Sequence, residues 1–418
     1  MQRRIFLKSG ALALVTMGLS PRFLRRAVLH AESRAASRGK TLICLFQRGA
    51  ADALNVLVPF GDAHYRELRP SIGIAAPASG VAGSAIDLDG FFGLHPALAP
   101  LAPLWRRGLL APVHAVGSPS STRSHFDALD FMETAVPDMK NVRDGWLNRL
   151  LAASDARANE RLAALRGIAL ATQHPRVFDG PAPTIALRSL EELRVRAGGA
   201  GADAARLEAL YQSMDADLVH GDGAEASEAT RVLRSLDPDG YAPANGAEYP
   251  ASDFGRRLRE IAQLVKADVG MEIAFADVGG WDTHVNQGAA TGQLATRLDD
   301  FARAIAALVT DLGDRMGDVV ILTMSEFGRM ARENGNRGTD HGHAGAMFVI
   351  GGGVRGGRVH GRWPGLAPEQ LHEGRDLALT TDFRSVFSEV ASKHLGAKRL
   401  DVLFPGYDAG AKGWVGVL

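Results

Sequence analysis

The chain is punctuated by short, almost wholly apolar runs of β-forming residues, each opening into a polar segment. Thr41–Phe46 (TLICLF) runs into Gln47-Arg48-Gly49-Ala50-Ala51-Asp52, and Ala111–Gly117 (APVHAVG) into Ser118–His125. Glu272–Asp277 (EIAFAD) leads to Val278–His284, and Val319–Met324 (VVILTM) to Ser325–Arg329. Strands apolar at nearly every position are buried on both faces, as in a parallel sheet covered by helices on either side. Gly167–Thr172, Thr184–Arg188 and Ala346–Ile350 read as further strands. Between them run helical periodicities. Phe254, Leu258, Ile261 and Val265 share a face, and Leu294, Leu298, Phe301, Ile305, Leu308 and Leu312 step by four and three. Pro96–Arg107 and Phe126–Thr134 are helical in character, and Phe383–Leu395 stops at Gly396 as a helix should. The pattern predicts a three-layer α/β/α sandwich with a mostly parallel sheet, spanning 41–418. Residues 136–250, polar and rich in Ala and Gly, read as a helical insertion or cap, with a helix over Ala202–Leu218 and a flexible segment at 220–228.

Composition narrows the function classes. A single cysteine, Cys44, excludes an intramolecular disulfide framework and any metal site built from several thiolates. Residues 1–40 carry nine Lys/Arg and one acid, so the remainder of this formally neutral chain holds an excess of eight acids. That balance, with 6% aromatic residues, argues against nucleic acid or an anionic membrane as partner.

The basic start has its own meaning. Arg3-Arg4-Ile5-Phe6-Leu7-Lys8 precedes an apolar stretch, Ser9–Leu19, too short to span a bilayer and suited to an export signal. It resembles a twin-arginine signal, implying the twin-arginine export machinery as partner, periplasmic or secreted localisation and no stable membrane insertion. Imperfect small-residue sites place the mature start near residues 31–40.

In parallel sheets ligands bind beyond the carboxyl ends of the strands. The polar clusters fall there: Asp52, Ser118–His125, Asp282/His284, Glu326 and Asp340/His341/His343. Carboxylate and imidazole groups bind divalent metals, so Asp52, Asp282, His284, Glu326, Asp340, His341 and His343 form the candidate ligand set for one or two ions, Zn first, with Mg, Mn or Ca as alternatives, while His125 is grouped with the catalytic candidates. Ser121, Thr122 and Ser124 offer hydroxyls before a helix, where the dipole favours an alkoxide or bound anion. Ser124, beside His125, is the preferred nucleophile, and Arg48 and Arg123 could clamp a phosphate or sulfate. No Gly-x-Ser-x-Gly elbow and no dinucleotide fingerprint occurs.

Several motifs occur in a recognisable order. They are the twin-arginine start, Arg48-Gly49-x-x-Asp52, Arg123-Ser124-His125-Phe126, Gly279–His284, Ser325–Arg329 and Gly338-Thr339-Asp340-His341-Gly342. Together they resemble the exported bacterial family called domain of unknown function 1501, grouped with the alkaline phosphatase-like superfamily of phosphatases, sulfatases and cofactor-independent phosphoglycerate mutases. The resemblance implies a metal site at the carboxyl edge of the sheet, with Asp and His ligands from separate loops and a Ser or Thr nucleophile. It also implies that Asp52 is the first-strand ligand. The chain departs from that pattern at Phe327, which cannot ligate, and in the close spacing of Asp282 and His284.

The expected function is an exported metal-dependent hydrolase of phosphate or sulfate esters. The alternative is a non-catalytic exported protein with a degenerate metal site that binds a glycan or a co-exported partner.

Overall fold

The computed structural model describes residues 39–78, 81–154, 160–191, 219–220, 229, 232–233 and 235–418. Residues 1–38 of the expected export signal, the expected helix at 202–218 and residues 221–228 lie outside them. Lys40–Leu418 folds as one unit around a nine-stranded sheet.

The strands of that sheet are β1 (Thr41–Gln47), β5 (Leu110–Gly117), β6 (Gly167–Leu170), β7 (Thr184–Leu187), β8 (Val219–His220), β9 (Ile273–Val278), β10 (Val319–Met324), β11 (Gly345–Gly351) and β12 (Thr381–Asp382), in the spatial order β12-β5-β11-β10-β1-β9-β6-β7-β8. The short pairs β2 (Leu57–Val58), β3 (Ile86–Asp87) and β4 (Gly93–Leu94) form a separate small sheet. The central strand, β1, is parallel to β10 and β9, with Leu42 in register with Val320 and Ile273. Its apolar run divides between the two faces. Ile43 and Leu45 join the core on one side, while Leu42, Cys44 and Phe46 join the core on the other. The period of two along a strand requires this division.

Among the described residues, five helices of eight residues or more cover the sheet: α1 (His125–Thr134), α2 (Trp146–Ala153), α3 (Asp253–Ala267), α4 (Gln293–Leu312) and α5 (Phe383–Lys393). α3 and α4 bury their apolar stripes with Ile43 and Leu45, and Phe254 stacks on Phe301 with ring centroids 5.4 Å apart. α2 and α5 cover the opposite face, where Trp146 stacks on Phe387 at 4.6 Å. The result is an α/β/α sandwich. Within 136–250, expected as a helical insertion or cap, β6 and β7 extend the central sheet beside β9. Pro96–Arg107 divides into a 3₁₀ turn (Pro96–Leu101) and a short α-helix (Ala102–Arg106), since Pro100 and Pro103 lack the N–H groups of a continuous helix. No helix among the described residues is long and apolar enough to cross a membrane.

One strand runs against the rest of the sheet's centre. β11 is antiparallel to both β10 and β5. Its amino end therefore meets the carboxyl ends of β1, β5, β9 and β10 at one rim.

Candidate metal centre

Three connections at that rim, after β5, after β9 and between β10 and β11, bring polar side chains to the same place. His125 is the first residue of α1, after β5; Asp282 and His284 follow β9; Glu326 follows β10; Asp340 and His341 precede β11. His341 stands in the middle. Its Nε2 is 3.0 Å from His125 Nε2, 3.0 Å from His284 Nε2 and 3.2 Å from Asp282 Oδ1. His284 Nε2 also lies 3.0 Å from Asp282 Oδ1, and among the described residues the ligand atoms of His125, Asp282 and His341 lie mutually close enough to share a cation.

Each ring is oriented from behind. His125 Nδ1 lies 2.8 Å from Glu326 Oε1, His284 Nδ1 lies 3.1 Å from Asp340 Oδ1, and His341 Nδ1 lies 2.8 Å from the backbone oxygen of Arg123. All three acceptors require a donor, so each neutral imidazole carries its proton on Nδ1. The Nε2 lone pairs then converge on one another and on a carboxylate. Lone pairs 3 Å apart repel unless a cation lies among them, so this donor set fits a metal ion. Carboxylates and carbonyls holding the far nitrogen of a ligating histidine are the common outer layer of metal sites.

The surroundings tune these groups unequally. The hydrogen bond to Glu326 raises the pKa of His125. Burial lowers that of His341, against the hydrogen bond to the Arg123 carbonyl. Burial acts to raise Asp282, but hydrogen bonding and charge from Arg329 outweigh it and leave the carboxyl below its ordinary value. Phe327 packs on two imidazoles, its ring centroid 4.9 Å from that of His125 and 5.1 Å from that of His341.

Other expected residues have other partners. Asp52 is fully buried, with Oδ2 accepting from Arg69 Nη1 at 2.5 Å and from Gln287 Nε2 at 2.6 Å. Its carboxylate is thus paired with the Arg69 guanidinium through Oδ2, while Oδ1 is buried with no hydrogen-bond partner. His343, two residues beyond His341, stacks on His372 with centroids 4.2 Å apart instead of joining the donors. Glu326 and Asp340 hold imidazoles at Nδ1, which places them behind the donors. Arg48 pairs with Glu133 (2.9 Å) and Asp277 (2.7 Å), and Arg123 with Glu373 (2.7 Å) and Asp376 (2.6 Å), so both guanidinium groups already have carboxylates. Ser124 is the N-cap residue of α1, but its side chain makes no capping hydrogen bond. His125, a catalytic candidate from the sequence, supplies one of the converging nitrogens.

Residues that stitch the loops together escaped sequence reasoning. The buried Arg329 donates to the backbone oxygens of Gly49 (2.6 Å), Ala50 (2.7 Å), Trp281 (3.1 Å) and Thr339 (3.0 Å), and to the Asp282 carboxylate. Gln287 Oε1 accepts from Thr283 (2.7 Å) and Thr339 (2.9 Å), the threonines of the two Asp/His motifs. The glycines around Asp340-His341 follow from backbone packing. A Cβ at Gly338 would sit 2.3 Å from the His284 carbonyl, and one at Gly342 would sit 2.3 Å from the Arg329 carbonyl carbon. The available signal was the Ser-Glu-Phe-Gly-Arg run at the end of a strand.

The fold and the site together define an α/β/α protein with a histidine-carboxylate cluster at the carboxyl rim of its sheet. The chain belongs to the family described as protein of unknown function (DUF1501), whose model matches residues 111–401. No curated protein matches it significantly. Among solved structures it is similar to the PsFucS1 sulfatase from Pseudoalteromonas sp., with 10% identity over 95% of this chain and 77% of the other at a TM-score of 0.40. It is also similar to the PH0037 protein from Pyrococcus horikoshii (13% identity, 76% and 87% coverage, TM-score 0.30). A third is the phosphonate monoester hydrolase of Agrobacterium radiobacter (12% identity, 90% and 78% coverage, TM-score 0.30).

Proposed function

We propose that the chain is an exported metal-dependent hydrolase of phosphate or sulfate esters. The observation that carries this reading is the convergence of three imidazole Nε2 atoms and the Asp282 carboxylate, with every Nδ1 held by its own acceptor. His125, His284, His341 and Asp282 would hold the ion. Three nitrogens and one oxygen suit Zn²⁺ better than Mg²⁺ or Ca²⁺, which favour all-oxygen shells. A divalent cation supplies Lewis-acid polarisation of an ester oxygen.

Ser124 is the nucleophile in this reading. Its hydroxyl attacks phosphorus or sulfur, the alcohol leaves, and water cleaves the ester formed on Ser124. The first N–H groups of α1 favour negative charge beside it. Glu373 is the more exposed of the two carboxylates on Arg123, and its exchange for a substrate oxygen would free one edge of that guanidinium. Export by the twin-arginine route to the periplasm or beyond fits the basic start and the single cysteine.

Full engagement of Arg48 and Arg123 by carboxylates favours a second reading, an exported binding or assembly protein with a degenerate metal site that takes a glycan or a co-exported partner. A panel of phosphomonoesters, phosphodiesters and sulfate esters with added Zn, Mn, Mg or Ca separates the two. The hydrolase reading expects turnover that Ser124→Ala abolishes without loss of metal. Metal bound without turnover of any ester, or purified protein that binds no metal, would overturn the hydrolase reading and leave the binding one.

A further inference from the structure

Large apolar side chains that remain exposed are few among the described residues, and two of the five directly follow a histidine of the cluster in the chain. Phe126, directly after His125, is 87% exposed; Val285, directly after His284, is 50% exposed. Met139 is 56% exposed, and the turn bearing it is pinned to the same segment by two contacts. Ser120 Oγ donates to Asp138 Oδ1 at 2.6 Å, and Lys140 Nζ lies 2.8 Å from Asp127 Oδ1. Single exposed apolar residues are ordinary on protein surfaces. Here two of them directly follow His125 and His284, the imidazoles whose Nε2 atoms each lie 3.0 Å from that of His341. The inward positions of α1, Ala128, Phe131 and Met132, already complete its core contacts, so packing gives no reason for a phenyl ring at position 126.

We propose that the anion taken at the cluster bears an aryl or alkyl group, received by Phe126, Met139 and Val285, so that the substrates are esters of apolar alcohols or phenols rather than of free sugars. The proposal rests on the anion-binding reading of the cluster. An aromatic ring offers both apolar area and a preferred edge or face geometry to such a group, and an apolar surface next to a charged subsite is the usual composition of a small-molecule site.

The test is calorimetric titration of the full chain loaded with Zn²⁺, using phenylphosphonate and methylphosphonate, which neither turn over nor differ in the charged group. Phenylphosphonate is expected to bind on the order of tenfold more tightly, equivalent to about 1.4 kcal/mol. Phe126→Ser should bring the two within about twofold while metal content stays at the wild-type value, with Met139→Ser and Val285→Ser giving smaller losses. Equal affinity for the two ligands in the wild-type protein overturns the apolar subsite and leaves the anion site standing. Failure of both to bind overturns the anion site, and the subsite with it.

Discussion

His341 and His284 face each other Nε2 to Nε2 across 3.0 Å, and each has its Nδ1 proton committed elsewhere, to the Arg123 carbonyl and to Asp340. Two imidazole lone pairs have no reason to meet in this way unless a positive charge lies close to both. Metal should therefore stabilise the fold measurably, because an ion that binds only the native state adds about 2.7 kcal/mol at a hundredfold excess over its Kd. The melting temperature should rise with Zn²⁺ and fall with a chelator. In His341→Asn both responses should vanish, together with the bound metal equivalent. A variant that still holds one equivalent would remove His341 from the site.

Glu326 and Asp340 act on the metal through imidazoles, and their environments differ. The Glu326 side chain is completely buried, and its Oε1 also accepts from Gly49 N–H at 2.7 Å. Asp340 is 48% exposed, with Asn334 Nδ2 as a further partner at 2.9 Å. Loss of an outer-layer partner typically costs about 10–100-fold in metal affinity. Glu326→Gln should lie near the upper end of that range, and Asp340→Asn near the lower end because water can replace the exposed carboxylate. Competition titration against a chromogenic chelator measures both. Affinities that rank in the opposite order would show that burial does not set the strength of the outer layer.

The sequence disclosed the strands that form this rim more readily than their directions. β1, β5, β9 and β10 lie within one or two residues of the apolar runs that announce them, because a strand buried on both faces leaves no polar position to confuse the pattern. β11 is equally apolar, and apolarity carries no direction. The missing sign was in the connection, since 325–344 has no helical periodicity and a parallel return between neighbouring strands normally needs a helix. At the site, Asp282, His284 and His341 stand out because acids and histidines are conspicuous in glycine-rich loops. Asp52 stands out equally, but its partner Arg69 lies in an unremarkable segment that no motif marks. Arg329 and Gln287 were hidden for a related reason: they bond to backbone and side-chain atoms of loops up to 280 positions away.

Glu260 gives the fold a pH dependence of its own. It lies on α3, is 8% exposed and accepts from Leu190 N–H at 3.0 Å. Burial raises its pKa to about 7, more than the Leu190 hydrogen bond lowers it. The native state therefore keeps a proton that the unfolded chain releases above its ordinary carboxyl value. Stability from this group is full below about pH 4.5 and is lost as pH rises toward 7, by on the order of 3 kcal/mol in total. Glu260→Gln keeps an acceptor for Leu190 and removes the titration. Urea unfolding at pH 5 and pH 8 should show the variant gaining on the wild type at pH 8; parallel losses in the two proteins would assign the pH dependence to other groups.

Asp52 separates a structural carboxylate from a metal ligand. Its Oδ2 joins Arg69 and Gln287, Arg69 Nη1 also reaches Asn55 Oδ1 at 2.8 Å, and neither charged side chain is exposed. Asn at position 52 would leave the Arg69 guanidinium buried without its counter-charge, a loss of about 3–5 kcal/mol when such a pair is broken from one side. Asp52→Asn should therefore lower the melting temperature strongly, while the fraction that remains folded still binds one metal equivalent. Replacing Arg69 by Met in the same chain should recover part of the lost stability, because the unpaired charge is then gone. The opposite pattern, a fold little changed and metal lost, would return Asp52 to the ligand set and make its link to Arg69 incidental.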